Sequence, residues 1–193
     1  MTRAARRVAN MGRGLATICV VAACGGEGTT QPNAATPAFV YVADAGAFAQ
    51  LFVYHGDSAT AFSRALGNDV DPQSAAGRIV FSSDRDGNNE IYIADLAGVA
   101  QHRVTNNAFA DFQPALSPTG DRIAYASYAT GIPRIAVVPA PALTDTGFPA
   151  PAPLATGAAD YVPEESPAWS PDGTRIAFVS LRLSMPQVFV VPA

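Results

Sequence analysis

Apolar residues are distributed along this chain in two ways. Residues 14–23 (GLATICVVAA) form one continuous run, preceded by thirteen residues that carry four arginines and no acid. From residue 39 onward they come instead in short stretches, such as FVYVAD at 39–44, EIYIA at 90–94 and RIAFVS at 175–180. These stretches are rich in β-branched and aromatic residues and are bounded by Gly, Pro, Asn and Asp, the pattern of short strands closed by turns.

The stretches recur in a fixed order. Residues 114–127 (PALSPTGDRIAYAS) and 167–180 (PAWSPDGTRIAFVS) agree at nine of fourteen positions with an offset of 53, and residues 133–140 (PRIAVVPA) and 186–193 (PQVFVVPA) keep that offset. RIVFSS at 78–83 aligns with RIAYAS at 122–127 at an offset of 44 and is followed by EIYIA. A first copy lies about 40 residues earlier, where FVYVAD at 39–44 is followed by QLFVY at 50–54. Four units result. They share a layout of a short apolar stretch, a turn, a strand, a polar turn, a second strand and often a final R-V-T or L-A-T strand, the first turn being S-P-x-G at 117–120 and 170–173. In Ser170-Pro171-Asp172-Gly173 the proline presets φ and the glycine supplies a positive φ, which makes a tight hairpin turn. Each unit therefore reads as a small antiparallel sheet, which cannot bury both faces by itself. Stacking sheets of about 40–45 residues around an axis solves that problem, so residues 39–193 are predicted to form an all-β array of about four propeller blades.

The segment at 167–180, together with SSDRDGNNEIY at 82–92, resembles the WD40-like repeats of the TolB β-propeller family. The resemblance covers most of residues 39–193. It implies a cell-envelope protein whose blade-connecting loops and channel mouth bind a protein, peptide or glycan. Two features depart from the family pattern. Residues 139–153 (PAPALTDTGFPAPAP) are an insertion that lengthens the third unit, expected as a stiff loop on the rim. The family usually has six blades, whereas here there are four units, the first lacking its innermost strand and the last stopping before its outermost. An open arc exposes apolar faces and unpaired strand edges. Three arrangements remain open: part of a longer propeller, a small ring closed by pairing of the chain's ends, or two associated copies.

Composition narrows the partner and the compartment. With 49% hydrophobic and 15% charged residues, 16 Gly and 16 Pro, the 193-residue chain suits a turn-rich globular domain and argues against disorder or a long helical bundle. All twelve basic residues are arginines; beyond residue 23 there remain eight against sixteen acids, a net charge of −8. That balance excludes a nucleic-acid partner and favours basic or neutral ones. The two cysteines, Cys19 and Cys24, both lie in the N-terminal segment, so no structural disulfide is expected. The basic residues 1–13 and the apolar run after them form a signal peptide, the run being shorter than the roughly 20 residues that span a bilayer. Val21-Ala22-Ala23-Cys24-Gly25 resembles the bacterial lipobox, which implies that Cys24 is lipidated and becomes the new N-terminus. Gly25 and Gly26, with no Asp after the cysteine, resemble lipoproteins sent to the outer membrane. The expected organisation is a signal peptide over 1–23, a lipidated flexible tether over 24–38 and the repeats over 39–193.

Several residues invite a chemical reading. Asp84, Asp86, Asn88 and Glu90 place oxygen ligands at alternate positions and resemble a calcium loop, but they lack its twelve-residue spacing and suit a hairpin connection; no metal site is assigned. Ser58, in Gly56-Asp57-Ser58-Ala59, resembles the start of an esterase nucleophile block. The only histidines are His55 and His102, and no Asp-x-x-His partner follows, so Ser58 is read as a turn residue. Two histidines and no cysteine pair leave no zinc cluster, and no cofactor motif is present. Trp169, the single tryptophan, is read as a packing residue; Glu164 and Glu165, adjacent in an extended chain, point to opposite faces.

No catalytic residue is assigned, and the binding residues are left unassigned. The expectation is a non-catalytic envelope lipoprotein, anchored by lipid on the periplasmic face, in which the propeller binds a partner. A hydrolase using loop carboxylates such as Asp84 and Glu90 is the alternative, and an incomplete propeller without independent function is a third reading. The anchor is checked by metabolic labelling with a radioactive fatty acid. The wild-type chain is expected to take up label and a Cys24→Ala chain to take up none; an unlabelled wild type defeats the anchor.

Overall fold

The computed structural model describes residues 38–55, 58–62, 66–157, 159 and 161–193. The signal-like segment 1–23, Cys24 and the expected tether as far as residue 37 lie outside the described residues. The described chain is all β, with fourteen strands in four antiparallel sheets. The first sheet is β1 (Ala38–Asp44), β2 (Ala49–His55) and β3 (Ser58–Ala61). The second is β4 (Asp69–Ala75), β5 (Arg78–Ser83), β6 (Glu90–Asp95) and β7 (Gln101–Arg103). The third is β8 (Asp111–Leu116), β9 (Arg122–Ser127), β10 (Arg134–Pro139) and β11 (Ala152–Pro153). The fourth is β12 (Glu164–Trp169), β13 (Arg175–Ser180) and β14 (Gln187–Pro192). Strands pair in chain order within every sheet, so each sheet is a meander and each is one predicted repeat.

A shared pair of rings fixes the correspondence between sheets. Phe81 on β5 stacks on Tyr92 of β6 with ring centroids 5.6 Å apart, and Phe178 on β13 stacks on Phe189 of β14 at 6.1 Å. Tyr41 on β1 stacks on Phe52 of β2 at 5.6 Å, which makes β1 the counterpart of β5. Among the described residues the first sheet thus starts at the second strand position and the fourth ends at the third, as the repeat register predicts. The insertion is less of a free loop than its composition suggests. Ala140 and Leu143 pack on the hydrophobic core, the Pro141 carbonyl accepts from Arg78 at 3.1 Å, and the segment ends in β11, the outermost strand of the third sheet.

Strand alternation gives the sheets two apolar faces, and the faces that meet at the three junctions are buried. Between the first and second sheets lie Val40, Leu51 and Val53 against Ile79, Phe81, Tyr92 and Ala94. Between the second and third lie Val80, Ile91 and Ile93 against Ile123, Tyr125, Ala136 and Val138. Ala126 and Ile135 of the third meet Phe178 of the fourth, with Phe189 and Val191 beside it. The innermost strand of each following sheet is the part that comes closest to its predecessor: β4 to β1 and β2, β8 to β4 and β5, β12 to β8 and β9.

Arginine at the start of the second strand latches the second sheet to the third and the third to the fourth. Arg78 donates to the Gly120 carbonyl, and Arg122 donates to the Gly173 carbonyl at 3.1 Å. Both acceptors are the glycines of the S-P-x-G turns, at φ of 75° and 69°. A side chain at Gly120 would also come within 2.7 Å of the Ala76 Cβ, so the latch requires glycine twice over. Tyr125 lies at the middle of the central interface with 1% of its surface exposed. Tyr125→Ala is expected to cost about 3–5 kcal/mol in urea unfolding, as for other large core aromatics; a loss below about 1 kcal/mol would contradict its central place.

Candidate functional site

The innermost strands β4, β8 and β12 share one irregularity. Each carries a residue followed by proline, Asp71-Pro72, Gln113-Pro114 and Ser166-Pro167, and in each the residue before proline has a positive φ, of 53°, 52° and 55°. The pairing of each strand with its neighbour shifts register at that point, between Val70 and Gln73, Phe112 and Ala115, and Glu165 and Ala168. A non-glycine residue in the left-handed region is uncommon and costs of the order of 1–3 kcal/mol, so three equivalent cases mark a built feature. Proline, with no N–H to donate, sits at the bulge where no ladder bond is lost.

These bulges are linked across the sheets. The Ser82 hydroxyl donates to the Asp71 carboxylate at 3.5 Å and accepts from the Gln113 N–H at 3.2 Å. One sheet further on, the Gln113 side-chain carbonyl accepts from the Ser166 N–H at 2.9 Å. Together with Phe112, Ala126, Tyr128 and Glu165, Asp71 and Gln113 line a cavity of about 240 Å³. Phe112 and Tyr128 meet edge to face in it, with centroids 5.8 Å apart. Burial pushes the Asp71 carboxyl up from its ordinary value, while hydrogen bonds from the Gln113 N–H and Ser82 pull it back. Two carboxyls, an amide and two rings with no basic residue among them suit a basic or polar ligand group with an apolar flank.

A second repeated constellation closes the sheets at the start of the innermost strands. Arg85 donates to Ser83 Oγ at 2.8 Å, to Gln101 at 2.8 Å and to Asp69 at 2.7 Å, with its guanidinium 4.6 Å from the Tyr92 ring centroid. Arg182 repeats this with Ser180 at 3.3 Å, Glu164 at 3.0 Å and the Phe189 ring at 4.1 Å. In the third sheet Asp111 takes the place of the acid, Ser127 of the serine and Tyr125 of the first ring, but Ala129 and Ala136 replace the arginine and the second ring. Asp111 is fully buried, and among the described residues it has no cation at ion-pair distance. Burial pushes its carboxyl up and the neighbouring Glu90 adds to this, while the hydrogen bond from the Asn107 amide, at 2.8 Å, pulls the other way.

The residues singled out from sequence are mostly joints. Asp84 accepts from the Asn68 N–H at 2.6 Å and from its side-chain amide at 2.8 Å, tying the hairpin to β4. Asp86 accepts from the Tyr92 hydroxyl and from Arg103 at 3.2 Å. Glu90 is fully buried and accepts from Arg103 at 2.9 Å, the Asn107 N–H at 2.8 Å and the Thr105 hydroxyl. Asn88 reaches the Phe109 carbonyl. Among the described residues no three His, Cys, Asp or Glu side chains converge as metal ligands.

Ser58 is exposed and opens β3, paired with the last residue of β2, instead of standing in a turn. His102 is buried in β7 of the second sheet, whereas His55 ends β2 of the first. Trp169 donates to the Ala115 carbonyl at 2.9 Å under the Arg122 guanidinium, which is a packing role between sheets. Glu164 and Glu165 do point apart: Glu164 is fully buried between Arg134 and Arg182, and Glu165 lines the cavity. Sequence reading missed Asp71, Gln113 and the two clamp arginines. The signals were present as x-Pro at 71–72, 113–114 and 166–167 and as Ser-x-Arg at 83–85 and 180–182.

The chain is similar to a TolB homolog of Chlorobium luteolum, 31% identical over 146 residues that cover 58% of this chain and 34% of that protein. It is similar also to the Tol-Pal system protein TolB of Desulfosudis oleivorans, 40% identical over 58 residues, 30% of this chain and 13% of that one. It thus spans about a third or less of the length of these relatives. Among solved structures, TolB from Acinetobacter baumannii superposes with a TM-score of 0.57 at 18% identity over 79% of this chain and 35% of that chain. A puromycin-hydrolyzing peptidase of Mycobacterium tuberculosis gives 0.61 at 14% identity over 84% and 27%. At these identities the structural likeness concerns the fold alone. No protein-family model matches the chain.

Asp111 makes stability depend on pH through its raised carboxyl. A carboxyl raised in the folded state binds its proton more tightly there than in the unfolded chain, so its contribution is present below about pH 4 and lost as pH rises through the folded pKa. Asp111→Asn removes that loss: stability at pH 7 is expected to hold or rise, and the curve above about pH 4 to flatten. Asp69→Asn instead removes the salt-bridge partner of Arg85, at a cost of about 1.5–3 kcal/mol. Urea unfolding from pH 4 to 8 reads both; equal losses at pH 7 would refute the distinction.

Proposed function

The chain is a TolB-like β-propeller protein, and from that premise we propose that it is a non-catalytic lipoprotein of the cell envelope whose propeller binds a protein, peptide or glycan partner at the inner-strand cavity. The observation that carries this reading is the convergence of Asp71, Gln113, Glu165, Phe112 and Tyr128 on one cavity through the three inner-strand bulges. A polar group of the partner approaches the two carboxyls, while the Phe112 and Tyr128 rings cover its apolar flank. The net charge of −8 beyond residue 23 draws basic partners toward the surface. The Tol-Pal name of one relative supports an envelope setting and a protein partner. Lipidation at Cys24 places the domain on the periplasmic face of the envelope, at the outer membrane.

The non-catalytic part of the reading is supported by the placement of the loop carboxylates that a hydrolase would use. Asp84 is held by Asn68, and Glu90 is enclosed by Arg103, Thr105 and Asn107.

Affinity capture from envelope extracts, with Cys24 intact, tests the proposal. The wild-type chain is expected to recover a reproducible partner, and the double change Asp71→Lys with Glu165→Lys to lower its recovery about tenfold or more, by placing like charge against a basic group. Full recovery by the double variant would move the site elsewhere. Absence of any reproducible partner with the wild type would overturn the binding reading.

A further inference from the structure

The arginine clamps of the second and fourth sheets are built on a backbone that the third sheet shares. In the hairpins after β5, β9 and β13 the N–H groups of Arg85, Ala129 and Arg182 each donate at 3.4 Å to the serine two residues earlier, Ser83, Ser127 and Ser180. Across the innermost strand each serine pairs with an acid: Ser83 with Asp69, Ser127 with Asp111 and Ser180 with Glu164. In two of the three sheets an arginine side chain fills the space between. Its guanidinium lies 5.3 Å from the Phe81 centroid in one and 5.4 Å from the Phe178 centroid in the other, and it ends on the acid. The third sheet keeps the turn, the serine, the acid and a ring, Tyr125, but has Ala129 where the arginine stands.

The place of the missing arginine is uncovered and short of positive charge. Ser83 and Ser180 are buried beneath their arginines, whereas Ser127 is half-buried and Ala129 exposed. Asp69 and Asp111 each leave one oxygen without a hydrogen bond. The other oxygen of Asp69 holds Arg85, but that of Asp111 holds only the neutral Asn107 amide, at 2.8 Å. A carboxylate buried without a cation is costly. The preceding sheet deepens the deficit, because Glu90 starts β6 as Arg134 starts β10, so an acid stands where Glu164 finds its second arginine. Asn107 bridges the two acids, donating its N–H to Glu90 at 2.8 Å and its side chain to Asp111. Arg103 is already taken by Glu90, Asp86 and the Thr105 carbonyl. Among the described residues this junction sets two fully buried acids against one arginine, whereas the next sets one against two.

We propose that the empty clamp position of the third sheet binds a guanidinium group from outside the chain, carried by an arginine side chain of a partner or by a small guanidinium compound. The group enters past Ala129 and repeats the contacts of the two internal clamps. One N–H donates to Ser127 Oγ, as Arg85 does to Ser83 at 2.8 Å, and another to the free oxygen of Asp111, as Arg85 does to Asp69 at 2.7 Å. Its flat face lies toward the Tyr125 ring. A planar fork reaches serine and carboxylate together, whereas an ammonium is a compact point charge without that geometry. The site does not rest on the cavity lined by Asp71 and Glu165. Phe112 and Ala126, which line that cavity, alternate along their strands with Asp111 and Ser127 and so turn to the opposite face.

The test is titration calorimetry of the full chain, exported from a bacterial host with Cys24→Ser to keep it free of lipid, with methylguanidinium chloride as the probe. Saturable binding is expected, about tenfold or more tighter than that of methylammonium. Ala129→Arg, on the exposed hairpin, fills the position with the chain's own guanidinium. It is expected to weaken binding about tenfold or more while the urea midpoint holds or rises. Asp111→Asn, which keeps the shape of the side chain, is expected to weaken binding to the same degree. A capped tripeptide with arginine between two alanines separates the sources: tighter binding than methylguanidinium assigns the site to an arginine of a partner, equal or weaker binding to a small compound. A wild-type chain that shows no saturable binding of methylguanidinium up to about 50 mM would overturn the proposal. Equal binding of methylammonium would do the same. Binding left unchanged by either variant, with β-sheet circular dichroism retained, would overturn it by placing the probe elsewhere on the chain.

Discussion

A sheet of three or four strands with apolar residues at every position of its central strands has no solvent face to offer. The six residues of β5 and β6 that matter most, Ile79, Phe81 and Tyr92 on one side and Val80, Ile91 and Ile93 on the other, are each 5% exposed or less. Burying one such side chain contributes about 1.5–3 kcal/mol relative to leaving it in water. That gain is available only when sheets stand on both sides, so the second sheet cannot be stable without the first and the third. The radial stack follows from this double-sided burial, and it explains why the chain repeats: whatever packs on one forward face must itself present another.

Apolar burial sets no rotation between neighbouring sheets, and the polar joints supply it. At one end the arginines at the start of the second strands reach the carbonyls of the following S-P-x-G turns. At the other, buried acids at the start of the innermost strands take arginine from their own sheet, and Glu164 takes a second one, Arg134, from the preceding sheet at 3.3 Å. An acid fully enclosed in this way is costly unless a cation and hydrogen bonds answer it. The third sheet lacks its arginine, and among the described residues Asp111 is answered by the Asn107 amide on one oxygen and by no hydrogen bond on the other. The central junction is therefore held chiefly by Tyr125 and the aliphatic residues around it.

The repeat offsets made the sheets, their order and the strand position at which the first described sheet starts legible in the sequence, because a strand register repeated at 44 and 53 residues leaves little freedom. Residue roles were harder to read. Asp84 and Glu90 drew attention because acids close together in a loop suggest ligands, yet their partners Asn68, Arg103 and Thr105 come from other strands and only folding assembles them. Ser58 looked like a turn residue, but it opens β3. The insertion looked like a free loop because Pro and Ala predominate, but its end supplies β11. Arg85 and Arg182 carry no periodicity of their own; their role emerges only when the rings they cover are placed in register.

The inner-strand bulge brings these threads together at the candidate site. Proline recurs at all three bulges because the ladder bond is already absent there, while the residue before it is Asp, Gln or Ser. The backbone holds that residue in a left-handed conformation whatever its side chain, so the position tolerates change in chemistry without change in architecture. Neighbouring bulges are coupled by side chain to backbone bonds, Ser166 N–H to Gln113 at 2.9 Å being the clearest, so a ligand that engages one pulls on a rigid row. A repeat fold that fixes its core and its joints this strictly leaves few places where sheets can differ and still stack. The cavity side of the innermost strands is one of them, which is why we propose recognition there and not on the hairpins that carry Asp84 and Glu90.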